Sequence, residues 1–188
     1  MTGRSKRLKA AIARIMCARG DLTRQEVDAI VNAANESLRG GGGVDGAIHR
    51  AAGGELLREC VSRYPDGCPT GDARWTRAYG LPCSFVIHTV GPIWRGGSRG
   101  EEDLLRSCHR RSIEVASELG VAALAFPAIS CGVYGYPPER AAPVALRAAA
   151  EALDAHERVR EVRFVLFTEQ MLVIFEKARR ELLDSLAP

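Results

Sequence analysis

The stretch V-D-A-I-V-N-A-A-N-E-S-L-R-G-G-G-G-V-D-G-A-I-H-R-A-A-G, Val27–Gly53, decides the fold. Its first part, residues 28–33, is a short and mostly apolar run, which predicts a buried strand. Gly40–Gly43 then forces a loop, because four glycines cannot hold a helix or a strand. Asp45 is placed to cap the next helix, Gly46–Ala52, which breaks at Gly53-Gly54 before a further helix over Glu55–Tyr64.

The same order of strand, glycine loop and helix recurs downstream. Ala122–Phe126 predicts a buried strand, and Ile129–Tyr136 a second glycine-containing loop. A helix runs from there to about Ala155, and Pro143 must either start it or kink it. Upstream, Ile12–Ala18 reads as a strand that leads into Gly20–Thr23, where Thr23 and Glu26 have the spacing of a capping box. Ala73–Ala78, Phe85–Val90 and Val162–Phe167 read as the remaining strands. Glu101–Leu119 and Glu169–Leu186 read as amphipathic helices, and Gly91–Gly100 as a mobile loop. Strands alternating with helices, apolar on both faces, predict an α/β protein: a three-layer α/β/α arrangement around a mixed, largely parallel sheet. Both glycine loops follow strands, so both are expected at the ligand-binding end of that sheet.

Composition bounds the function. The 188 residues suit one domain over 1–188, with residues 1–10 as a basic, flexible N-terminal segment. No apolar run approaches the roughly 18 residues of a membrane span. The basic N-terminus lacks a following apolar segment, so no signal peptide is expected and a cytoplasmic protein is. The net charge of +3 is mild and scattered, which makes nucleic acid an unlikely main ligand. The six cysteines form no C-x-x-C pair and share no metal spacing with histidine; reduced thiols are expected.

The two loops carry the chemistry. Gly40–Gly43 lets backbone amides approach an anion at a helix N-terminus, and Asn32, Asn35 and Asp45 flank it. The alternative is a flexible turn with Asp45 as a helix cap only. The second loop, S-C-G-V-Y-G-Y-P over Ser130–Pro137, offers a second amide cradle. It lacks the lysine of a P-loop, and neither loop has the G-x-G-x-x-G of a dinucleotide fold. Asn32, on a strand, is read as bonding loop backbone. Tyr134 and Phe167 have core packing as their alternative, and Asp21 a turn. His49 and His88 have no nucleophile nearby and are not expected to be catalytic. His109 and His156 are read as surface positions, and Trp75 and Trp94 as packing residues.

These motifs together resemble the macrodomain family, specifically its MacroD-type ADP-ribosylhydrolases. The resemblance rests on G-D-L-T at Gly20–Thr23, V-D-A-I-V-N-A-A-N at Val27–Asn35 and G-G-G-G-V-D-G-A-I-H-R-A-A-G at Gly40–Gly53. It continues in G-C-P-T-G-D-A from Gly67, Y-G-L-P from Tyr79, V-I-H-T-V-G-P from Val86 and F-P-A-I-S-C-G-V-Y-G-Y-P at Phe126–Pro137. The resemblance implies ADP-ribose as ligand, with Asp21 and Leu22 at the adenine and Phe167 stacked on it. It implies Ser130, Cys131, Gly132, Val133 and Tyr134 around the diphosphate, the last also at the distal ribose. Gly41, Gly42, Gly43 and Val44 would line the same cleft, with Asn32 counted in the ligand-binding set. Asn35 would bind the distal ribose and Asp45 orient the attacking water. Cys131 departs from the threonine common at its position, which raises the question of oxidation.

The implied substrates are proteins mono-ADP-ribosylated on aspartate or glutamate, and O-acetyl-ADP-ribose. A carboxylate leaving group, with an acid pKa of about 4, needs no strong general acid. One carboxylate and a water therefore suffice, with no cofactor and no metal. A monomer is expected. The competing reading is a module that binds ADP-ribose without cleaving it.

Overall fold

The computed structural model describes residues 3–186. In chain order its elements are α1 (Gly3–Ile12), β1 (Ile15–Arg19), β2 (Ala29–Ala34), α2 (Gly43–Ala52), α3 (Gly54–Arg63), β3 (Ala73–Arg77) and β4 (Phe85–Val90). There follow α4 (Glu101–Glu118), β5 (Ala123–Phe126), α5 (Pro138–Ala155), β6 (Glu161–Leu166) and α6 (Glu169–Asp184). The strands form one sheet in the order β1-β6-β5-β2-β4-β3. Every neighbouring pair is parallel except β3 against β4. The expected three-layer α/β/α arrangement with a mixed, largely parallel sheet is what forms.

Side-chain alternation along β2 and β4 divides the core into two layers. Ile30 and Val86 pack with Ile48, Ala52 and Leu56 of α2 and α3 on one face. Val31 and Ile87 face the other way, with Leu105 and Ile113 of α4, Leu146 of α5 and Phe175 of α6. Phe126, Phe164 and Phe175 form a ladder there, with ring centroids 5.5 and 5.3 Å apart. Stacked and tilted ring contacts of this kind add to the area each ring removes from water.

Four local expectations are corrected. Residues 3–12 form a helix and not a flexible tail, because Leu8, Ala11 and Ile12 share one face and bury it on the core. The first two residues of that segment lie outside the described part. The turn after β1 is a 3-10 turn over Leu22–Arg24 capped by Asp21, whose side chain accepts from the Thr23 amide; Thr23 caps nothing. The α5 helix starts at Pro138 and runs through Pro143, so of the two alternatives Pro143 does not start it. His109 is 1% exposed, stacked on Phe126 at 5.2 Å, and not a surface residue. The Gly91–Gly100 loop is better anchored than expected. The buried Glu101 carboxylate accepts from the backbone amides of Arg95, Gly97 and Arg99. Burial opposes its ionisation, but the backbone amide of Glu101 itself, followed by those of Arg99, Arg95 and Gly97, prevails and holds the carboxyl at about 2. Trp75 and Trp94 pack as expected, against Phe85 and Tyr136.

Candidate functional site

A parallel sheet sends the carboxyl ends of its strands to one edge, and the cleft lies there. It is lined by the residues that directly follow each parallel strand: Gly20–Thr23 after β1, Asn35 after β2, Gly91 after β4, Pro127, Ala128 and Ser130–Tyr134 after β5 and Phe167 after β6. Its volume is ≈ 710 Å³, large enough for a nucleotide-sized ligand. Gly41 and Gly42 with the first residues of α2, Gly43–Asp45, close one side. All the sequence-derived site residues line this cleft except Asn32, which lies wholly buried beneath it.

The first glycine loop delivers the chain to α2 with no side chain capping the helix. Its N-terminal amides therefore stay open to the cleft. The helix begins at Gly43, so Asp45 sits inside its first turn and the capping alternative is corrected. The Asp45 carboxylate is only 5% exposed. Oδ1 accepts from Asn32 Nδ2 at 2.7 Å. Asn32 thus bonds a carboxylate, where loop backbone was expected. His49 Nε2 lies 3.4 Å from the same oxygen. Burial pushes the Asp45 carboxyl above its usual range, and the Asn32 bond and His49 partly offset that. Asn35 donates from Nδ2 to the Gly40 carbonyl at 2.8 Å and accepts from Ser37 Oγ at 2.6 Å. A Cβ at Gly41 would meet Asp45 Oδ2 at 3.1 Å and Asn35 Nδ2 at 3.3 Å, so these two side chains flank one glycine.

The second loop works differently. Ser130 takes φ +64° and turns the chain sharply after β5. Tyr136 donates to the Ser130 carbonyl at 3.0 Å, Gly135 to Gly132 at 2.9 Å, and Trp94 to Tyr134 at 2.8 Å. The amides of Gly132, Val133 and Tyr134 have no hydrogen-bond partner among the described residues. Successive free amides around a tight turn form a concave anion site. A Cβ on Gly132 would meet nothing within 4 Å. Gly91 supports the loop from below, since a Cβ there would overlap Ser130 Oγ. Burial pushes the Cys131 thiol up to about 12, which favours the thiol over the reactive thiolate. Tyr134 is half-buried and lines the cleft.

At the far end, Asp21 is both turn residue and cleft wall. Its carboxylate accepts from Thr23 Oγ1 at 2.7 Å and Thr23 N at 2.9 Å, which holds it below the usual range. Phe167 is 85% exposed. It lies one residue beyond β6 and presents its ring to the cleft; core packing is corrected. Sequence reading missed Arg50, Gly91, Thr168 and Met171. Arg50 could have been found, since Gly43, Ala47 and Arg50 fall on one helical face. His156 is half-buried at the end of α5. Among the described residues no three His, Cys, Asp or Glu side chains gather as metal ligands, and no helix is long and apolar enough to cross a membrane.

Residues 31–145 match the family model described as "Macro domain". A "Macro domain-containing protein" of Methanosarcina mazei is 49% identical over 177 residues, covering 94% of both chains. The "O-acetyl-ADP-ribose deacetylase" of Escherichia coli is 47% identical, over 87% of this chain and 94% of that protein. Among solved structures, a mutant macrodomain of Oceanobacillus iheyensis with ADPR superposes with a TM-score of 0.85 at 40% identity, over 89% of this chain and 92% of that one.

Proposed function

Since the chain belongs to the Macro domain family, we propose that it binds ADP-ribose in this cleft and hydrolyses the ester that joins the distal ribose to an aspartate or glutamate side chain. O-acetyl-ADP-ribose is a second substrate of the same kind. Phe167 stacks on the adenine and Asp21 accepts from its amino group. The amides of Gly132–Tyr134 hold the diphosphate, with those at the start of α2 beside them. Asn35 holds the distal ribose, and Asp45 orients the water.

One observation carries this reading: a carboxylate nearly removed from solvent, hydrogen-bonded from below by Asn32 and set against the first glycine loop. Burying a charge is costly, and binding a sugar does not require it. A buried carboxylate can hold a water by its second oxygen and accept its proton as the carbon–oxygen bond breaks. Glycosidases commonly use a second carboxyl to protonate an alkoxide leaving group. A carboxylate leaving group, with an acid pKa of about 4, departs unprotonated. A relative named an O-acetyl-ADP-ribose deacetylase and a structural neighbour with ADPR support the choice of ligand and of an ester substrate.

The test is incubation with a protein mono-ADP-ribosylated on glutamate, following release of ADP-ribose. Release that falls with pH as Asp45 takes up its proton is expected. Tight ADP-ribose binding with no release at high protein concentration would reduce the molecule to a reader.

A further inference from the structure

Asp45 does not end at Asn32. The Asn32 amide nitrogen also lies 3.1 Å from Nδ1 of His88 on β4, and Nε2 of His88 lies 2.9 Å from Oγ1 of Thr76 on β3. The pairing register explains the chain of contacts. Asn32 is directly opposite His88 across the parallel β2–β4 pair. Thr76 is the diagonal neighbour of His88 across the antiparallel β4–β3 pair, on the same face. All three residues are 0% exposed. The line therefore runs from the sheet's edge strand to the cleft through side chains that touch no solvent.

Proton counting ties the two ends of the line together. The Asn32 amide nitrogen has two protons, and Asp45 Oδ1 takes one. The other points at His88 Nδ1, which can accept only if it carries no proton. His88 must then be the tautomer with its proton on Nε2, facing Thr76 Oγ1. Burial holds the ring neutral, with its pKa lowered to about 3, so this holds across physiological pH. The opposite state is also self-consistent. A proton on Nδ1 would donate to the Asn32 oxygen, and the flipped amide would set that oxygen against Asp45. Two facing acceptors can coexist only if Asp45 is protonated. The two tautomers of His88 thus correspond to the two charge states of Asp45.

We infer that His88 and Thr76 are positioning residues: by holding the imidazole proton on Nε2 they turn the Asn32 amide toward Asp45 and keep that carboxylate ionised and aimed at the cleft. Neither residue lines the cleft. The inference rests on the reading of Asp45 given above, and a readout independent of turnover separates the two. The other titratable groups around the line are His49 on α2, Glu59 and Cys60 on α3, and Tyr134 across the cleft. The substitutions below leave all four in place.

The experiment compares His88→Asn with His88→Gln, and Thr76→Ser with Thr76→Val. Asparagine puts its oxygen where Nδ1 was and can still accept from Asn32. Glutamine reaches the Nε2 position and faces Thr76 instead. Serine keeps the hydroxyl that valine lacks. The Asp45 carboxyl carbon is titrated by 13C NMR in each variant, beside kcat and KM for ester hydrolysis. In His88→Gln and Thr76→Val the Asp45 midpoint moves up, the acid limb of kcat moves with it, and kcat falls about tenfold, as expected for losing one buried hydrogen bond in a line to a charge. KM stays within about twofold, because uniform binding is untouched. His88→Asn and Thr76→Ser retain the wild-type midpoint and acid limb. Equal midpoints in the Asn and Gln variants would overturn the inference, as would 15N shifts placing the His88 proton on Nδ1. If the wild-type protein hydrolyses nothing, the enzyme reading fails, and the Asp45 titration still decides the role of His88.

Discussion

The two glycine-rich loops occupy the same end of the sheet and follow neighbouring strands, yet Gly41 in the first and Gly132 in the second serve opposite needs. In the first, Gly41 is a glycine because Asp45 and Asn35 press against it from within the protein. Gly46, behind it, is held by the Gly41 carbonyl, which a Cβ would overlap. In the second, nothing of the protein approaches Gly132, and Val133 is 92% exposed. The first loop is crowded at Gly41 by its own chemistry, while its Gly42 and Gly43, like Gly132 in the second loop, meet nothing within 4 Å. A glycine run in a sequence does not distinguish these cases; the neighbours in space do.

Substitutions that separate the loops sharpen this contrast. Asp45→Asn has the largest expected effect. It keeps an oxygen for Asn32 but removes the charge, and ester turnover should fall at least about 100-fold, within the range for losing a positioned base. Its stability should not suffer. A carboxyl whose folded pKa is raised binds its proton more tightly in the folded state. Stability from this group is therefore greatest at low pH and declines as pH climbs from the usual carboxylate value of 3.8 through the raised one. At neutral pH the charge is a cost that asparagine removes, so the melting temperature at pH 7 should equal or exceed wild type.

Gly132→Val should come next. It leaves the fold intact, since its Cβ meets nothing, and weakens ADP-ribose binding by about 10- to 100-fold by separating two or three amides from the diphosphate. Calorimetric titration measures this directly. Phe167→Ala should weaken binding by about tenfold, the lower part of the range for a base stacked on an aromatic ring. A melting temperature unchanged by that substitution would confirm that the ring packs on ligand and not on core. Cys131→Ser should change binding by no more than about twofold, the scale of a substitution that touches no special feature. Mild oxidant should spare the wild-type protein, because its thiol is not a thiolate.

The parts of this picture legible in sequence are those set by local rules. The strand at 85–90 and the helix starting at Glu101 need only apolar period and an acidic first turn. The buried His109 was equally legible. It falls on the stripe of Leu105, Cys108, Ser112 and Ile113, and position on that stripe outweighs histidine's polarity. The exposure of Phe167 does not follow from its place in an apolar run, because one residue decides whether a ring ends a strand or overhangs it. The partners of Asn32 were not legible at all. They depend on which strand lies beside β2 and in what register, and pairings between residues 32, 88 and 76 leave no periodicity along the chain.

The most direct measurement takes ADP-ribose affinity and saturated ester turnover on the same preparations of Asp45→Asn and Gly132→Val. The account predicts a crossing. Asp45→Asn keeps its Kd within about threefold of wild type while kcat is lost, and Gly132→Val loses affinity while kcat at saturation stays within about threefold. Loss of both quantities in the same proportion in both variants would contradict the division of labour between the two loops.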